Sequence, residues 1–331
     1  VHGNPNWSYM WRGIARSMPD WRVVAVDALN MGYSERTGEP RRLADRISDL
    51  DTVTQALAIE GPVITVAHDW GGPISMGWAQ RNVERLAGIV LMNTSVALPD
   101  GVTMPPLIAL ARKTLRATCE TTPVFLHGAF RMARPQLDRD VYRSYTAPYG
   151  SAELRTGIRD FVEDIPIEDT HPSFAALAQV AAGLDTLQHV PALLLWGPRD
   201  LVFGDLYLHD LEDRLPHADV HRFPDAAHFV SEEADVAGAI RAWLTTLADG
   251  ADSKSGAGST GGHDPGEPDI AIRGLCDFSG VGDETVAVVE LAPQERSITF
   301  GELSERVERT ALGMARHGIE AGDRVALMIP P

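Results

Sequence analysis

Residues 63–73, Val-Ile-Thr-Val-Ala-His-Asp-Trp-Gly-Gly-Pro, set an aspartate at a sharp turn between an apolar run and a helical pattern. The apolar and β-branched residues predict a buried strand, and Gly71 and Gly72 let a following helix pack close to it. Such a strand–turn–helix holds one strained residue above the C-terminal edge of a parallel sheet, with N–H groups of the helix start aimed at it. Asp69 occupies that position. An Asp before a helix is ordinarily an N-cap. Held at such an elbow, its carboxylate can instead attack carbon and form a covalent ester.

The rest of the chain repeats strand and helix signals. Residues 23–27, 87–92, 192–196 and 220–223 read as strands. Leu43, Ile47, Leu50, Val53 and Leu57 recur at helical spacing, and the elbow helix runs to about Asn82. Repeated βα units predict an α/β fold, a mostly parallel sheet with helices on both faces and its functional groups at the C-terminal strand ends. Between about 98 and 190 the strand rhythm stops, and Phe125, Phe130, Met132, Tyr142, Tyr145 and Tyr149 sit in helical or irregular segments. This block reads either as a cap over an apolar pocket or as a helical layer of the core.

Residues 249–269 are rich in Gly and Ser and lack periodicity, which predicts a flexible linker. Beyond it, residues 285–291 are strand-like, 301–317 helical and 324–329 strand-like again. Residues 270–331 therefore read as the start of a second domain, and both ends of the sequence as cuts through a longer protein.

Composition narrows the function. A net charge of −17 leaves no basic stripe for nucleic acid. Neither a signal peptide nor an apolar run of membrane-spanning length is visible. Cys119 and Cys276 are the only cysteines, too few for a disulfide framework. The expectation is a cytoplasmic protein that meets membranes at most peripherally.

An aspartate nucleophile needs an anion cradle, a base and an acid to orient the base. Asn4, in His2-Gly3-Asn4-Pro5, offers a side-chain amide, and Trp70 an indole N–H. Alone, each reads equally well as a turn residue or a core aromatic. His228, between a strand and a helix, is the candidate base; His68, beside the nucleophile, should point away from it. Asp200 follows the strand 192–196 and can accept the Nδ1–H of His228, with Asp205 as the fallback. Asn93 occupies the alternative acid position but supplies no charge.

His2-Gly3-Asn4-Pro5 with residues 8–12, His68-Asp69-Trp70-Gly71-Gly72, and Ala227-His228-Phe229 with Glu232-Glu233 resemble the haloalkane dehalogenases of the α/β-hydrolase superfamily over residues 1 to about 248. The resemblance implies an α/β-hydrolase fold with a helical cap. It also implies Asp69 as nucleophile, His228 as base, Asp200 as acid, Asn4 and Trp70 as anion-stabilising groups, and no cofactor. Residues 298–303 and 318–327, chiefly Gly322-Asp323-Arg324-Val325-Ala326, resemble the opening of AMP-forming synthetases and ligases. For that family ATP and Mg are implied, with their binding loop beyond Pro331. The two together are similar to the fused proteins of bacterial olefin biosynthesis, whose hydrolase-like part converts a long-chain cis-β-lactone to cis-alkene and CO₂. A hydrophobic substrate, a fused ligase partner and other pathway enzymes follow as expectations. A haloalkane dehalogenase, or an epoxide hydrolase gripping oxygen with Tyr142, Tyr145 or Tyr149, is the alternative.

Overall fold

The computed structural model describes residues 1–255, apart from Glu60, Asp100 and Thr103, together with residues 286–290 and 296–299. The chain forms two units, Val1–Ala257 and Gly258–Pro331. In the first, strands β1 (Val63–Asp69), β2 (Leu86–Thr94), β3 (Ala192–Trp196) and β4 (Asp219–Arg222) make one parallel sheet in the order β1-β2-β3-β4. Every crossover steps the same way, so right-handed connections place the helices Gly71–Arg81, Phe174–Gly183 and Asp205–Arg214 on one face. The helix Val236–Ser255 returns over the other face and lays Trp243 against Gly88 of β2. Covered on both sides, residues 89–92 and all of β3 are buried without alternation.

The expected strand at residues 23–27 does not form. The segment joins no ladder, and Val23 and Val24 are exposed. An apolar groove of about 490 Å³, walled by Trp21, Val24, Ile64 and Leu244, separates it from the free edge of β1. A β-branched run becomes a strand only when a neighbour takes its backbone hydrogen bonds, and no described strand borders this one. Val1 lies alongside β1, its backbone nitrogen donating to the Val66 carbonyl and its carbonyl accepting from the His68 N–H.

Among the described residues between β2 and β3, every regular element is helical. Ile108, Phe125, Ala129 and Val162, from three of these helices, roof a cavity over Asp69. The helix Phe174–Gly183 instead packs on the elbow helix, where the Gln80 amide donates to the Val180 carbonyl at 2.7 Å. Leu177 of that helix also reaches the wall of the neighbouring cavity. The last helix extends to Ser255, so the segment expected as linker from 249 begins helical.

The second unit contains an antiparallel pair, β5 (Val286–Glu290) and β6 (Arg296–Thr299). The expected helix at 301–317, the strand at 324–329 and the Gly322–Ala326 motif lie outside the described residues, as does most of the expected linker. No described helix is long and apolar enough to cross a membrane.

Candidate active site

Asp69 ends β1 at a break in register with β2 and adopts φ +53°, a strained conformation for a residue with a Cβ. Trp70 is the N-cap of the elbow helix, so Asp69 is not its cap. The Asp69 carboxylate instead accepts the Asn4 backbone N–H at 2.7 Å and the Trp70 backbone N–H. Thr94 Oγ1 donates to the Asp69 carbonyl and steadies the turn. The fit requires glycine: a Cβ at Gly3 would lie 2.0 Å from Asp69 Oδ1, and one at Gly71 2.0 Å from the Val1 carbonyl oxygen. Burial raises the Asp69 carboxyl above its ordinary value; the charge of His228 and the two N–H groups oppose this without cancelling it.

His228 sits on the loop after β4, and its Nδ1–H donates to Asp200 Oδ2 at 2.9 Å. The ring and the carboxylate are both buried. Burial pulls the imidazole down, but the charge and hydrogen bond of Asp200 and the charge of Asp69 outweigh it, leaving His228 raised to about 9. Burial pushes Asp200 up, and its pairing with His228 and the Val202 N–H bring it below its ordinary value. The pair is therefore imidazolium and carboxylate at neutral pH.

Asn93 carries no charge, yet it holds Asp200 in place. At φ +32° its Nδ2 donates to Asp200 Oδ2 and to the Gly197 carbonyl, each at 3.0 Å, while its Oδ1 accepts the Gly197 N–H. His68 points away from the cavity, as expected, and its Nε2–H donates to the His228 carbonyl at 2.7 Å. Burial lowers His68 to about 3, so it stays neutral with the proton on Nε2. Two further residues that sequence reasoning had not assigned brace the histidine loop. Glu233 accepts the Ala227 N–H and, at 2.8 Å, the Arg134 N–H; Glu232 receives a bidentate Arg12 and the Tyr145 hydroxyl. The adjacent pair of acids in the sequence was the available signal.

Asn4, Asp69, Trp70 and His228 all line one cavity of about 50 Å³, closed by Phe125, Ala129 and Met132; Asp200 stands behind His228. A second lobe of about 200 Å³ shares Asp69, Trp70, Ile108 and Val202 and extends past Leu98, Leu177 and Tyr207. The Asn4 amide donates to the Ile158 carbonyl at 3.2 Å, and the Trp70 ring rests against Phe161 at 5.7 Å between centroids. The three tyrosines of the epoxide-hydrolase alternative are engaged elsewhere. Tyr145 bonds Glu232, Tyr149 bonds the Asn6 carbonyl, Tyr142 bonds His127, and none lines either lobe.

Known proteins share this arrangement of sheet, roof and sequence. The family described as alpha/beta hydrolase fold matches residues 1–235. A cis-3-alkyl-4-alkyloxetan-2-one decarboxylase of Shewanella oneidensis is 32% identical, over 71% of this chain and 76% of that protein. Another, from Xanthomonas campestris pv. campestris, is 33% identical over 74% of this chain and 86% of that protein. Among solved structures, the haloalkane dehalogenase DatA from Agrobacterium tumefaciens C58 superposes with a TM-score of 0.68 at 26% identity, covering 74% of this chain and 88% of that one. The chain belongs to the α/β-hydrolase family and, within it, to the haloalkane dehalogenase-like enzymes.

Proposed function

We propose that this enzyme is a β-lactone decarboxylase that converts a long-chain cis-3,4-dialkyl oxetan-2-one to a cis-alkene and CO₂. The observation that carries the reading is a carboxylate nucleophile at the junction of two apolar lobes, suited to a ring that bears an alkyl chain on each of two adjacent carbons. The named activity of the Shewanella and Xanthomonas relatives supports it.

The steps follow from bond accounting. Asp69 attacks ring carbon C4; the Asp69–C4 bond forms, C4–O1 breaks, and the electron pair stays on O1 as part of a free carboxylate. The Asn4 amide and the Trp70 indole N–H are the donors that receive this charge. The C2–C3 pair then forms the C3=C4 bond, CO₂ departs, and the C4–Asp69 bond breaks to restore the nucleophile. Inversion at C4 followed by anti loss equals net syn loss, so a cis ring gives a cis alkene. Attack at the carbonyl would bind C2 to the enzyme, yet C2 must leave as CO₂. Neither water nor a proton is consumed. An imidazolium at His228 stabilises Asp69 as it re-forms as a carboxylate.

Purified protein given a cis-β-lactone is expected to release CO₂ and alkene in equal amounts, followed by headspace analysis and mass spectrometry. Asp69→Ala is expected to stop both while circular dichroism stays unchanged. A folded wild-type protein that yields no alkene refutes the assignment.

Residues 270–331 fit, by their sequence resemblance, the opening of an AMP-forming ligase-like domain that would close a β-hydroxy acid into this lactone using ATP and Mg. The full reading frame tests this, with ligase-like sequence expected to continue after Pro331.

A further inference from the structure

One buried cation takes no part in the chemistry above. Arg46, on the helix Leu43–Ala56, is 4% exposed. Its Nη1 donates to Asp164 Oδ2 at 2.6 Å, and the fully buried Asp164 also receives Ser173 Oγ and, at 3.3 Å, Arg42 Nη1. Burial lowers the guanidinium to about 10 against the pull of Asp164, so it remains charged at neutral pH. Its Nε has no partner among the described residues. Desolvating such a pair cancels much of the attraction it gains, so stability alone is a poor reason for it.

What the cation touches is the support of the anion cradle. Asp164 is the C-cap of the helix Thr156–Glu163. On that helix Phe161 meets Arg46, with Cζ 3.7 Å from its ring centroid, and Cζ lies 5.7 Å from the centroid of Trp70. Phe161 also packs on Trp70, and the Ile158 carbonyl, nearly one turn earlier, takes the Asn4 amide. Both cradle side chains thus rest on one short helix, and Arg46 holds that helix at its end and at its Phe161 face.

We infer that Arg46 is a positioning residue for the anion cradle. Through Asp164 and Phe161 it fixes the helix against which Asn4 and Trp70 are set, and its charge near the indole favours an anion at that place. The identity of that anion as the carboxylate of an opened lactone rests on the decarboxylase reading; the anion site itself does not.

The test compares Arg46→Met, Arg46→Lys and Phe161→Leu in the whole chain. It reads kcat and KM with a cis-β-lactone, and bromide affinity from the part of the tryptophan quenching that Trp70→Phe removes. Arg46→Met leaves the buried Asp164 without its nearest counter-charge, so it is expected to melt roughly 5–20 °C below wild type and, where folded, to lose about 10- to 100-fold in kcat at nearly constant KM, less than deleting a cradle donor outright. Bromide should bind more weakly in parallel, and Arg46→Lys should recover part of both losses. Phe161→Leu, which leaves the ion pair intact, should reproduce the bromide loss and serves if the Met variant does not fold. A folded Arg46→Met protein with wild-type kcat and bromide affinity overturns the inference, as does a kcat loss with bromide binding unchanged. Wild-type protein that binds bromide but releases no CO₂ would sink the decarboxylase reading alone, with the bromide comparison still deciding the role of Arg46.

Discussion

Replacing Asp200 with Asn isolates what the buried pair does, because the amide keeps the shape and removes the charge. Raising His228 from 6.5 to about 9 favours its charged form by ~3 kcal/mol, with Asp200 the largest contributor to the rise. A histidine raised in the folded state stabilises the fold fully below its ordinary 6.5, and that contribution is lost as pH climbs through about 9. Asp200, lowered from 3.8, contributes in full above that value and changes nothing between pH 6 and 10. In Asp200→Asn, burial acts on the imidazole with only Asp69 and Glu233 to oppose it, so His228 should titrate near or below its ordinary value. At roughly 2–4 °C per kcal/mol for a domain of this size, the wild type should lose roughly 10 °C more than the variant between pH 6 and 10. Ring ¹⁵N NMR of His228 and thermal melts across that range read the two quantities. A wild-type imidazole titrating near 6.5, or parallel melting curves, would refute the reasoning.

Gly3→Ala drives a Cβ to 2.0 Å from Asp69 Oδ1, and overpacking of this kind costs about 1–3 kcal/mol; kcat should collapse while the melting point falls by only a few degrees. Asn93→Ala strips Asp200 and the Gly197 N–H of buried partners, so a loss of about 1–3 kcal/mol in denaturant unfolding is expected, with a lower kcat. Met132→Ala enlarges the smaller lobe, and kcat/KM for lactones varied in one chain at a time should rise for lengthening at one ring carbon only. Equal gains at both carbons would refute that assignment.

Local signals carried much of the reading. The β-branched run, the Gly pair and the helix after it all lie within residues 63–81, so the elbow was legible from the sequence alone. Chain order placed Asp200 and His228 on loops that follow strands. The sequence could not show what depends on a distant partner. Residues 23–27 have a strand composition, but a strand also needs a neighbour. Asn93 was discounted for its missing charge, whereas its work is to hydrogen-bond a carboxylate 107 residues away. Arg46 reads as one more polar position on an amphipathic helix until Asp164, 118 residues on, folds against it. The roof gave no periodicity to divide the helices over Asp69 from Phe174–Gly183, because both kinds bury one apolar face.

The charge state of His228 separates two chemistries that the Asp69 carboxylate could serve as a nucleophile. A bromoalkane would alkylate Asp69 by the same attack, with bromide leaving into the cradle. The resulting ester is cleared only if water attacks it and a neutral imidazole takes the proton. Esterification removes the Asp69 charge but leaves the larger contributions of Asp200 to the rise of His228, so the base form is expected to stay scarce at pH 7. Bromoalkane turnover should therefore start with a burst, leave an alkylated Asp69 detectable by intact mass, and rise about tenfold per pH unit toward the His228 titration. Lactone decarboxylation needs no base, so it should stay level over that range and weaken only as the imidazolium is lost near 9. Equal, pH-independent turnover of bromoalkane and lactone at pH 7, without a burst, would mean that His228 works as an ordinary base and that the site is built for hydrolysis.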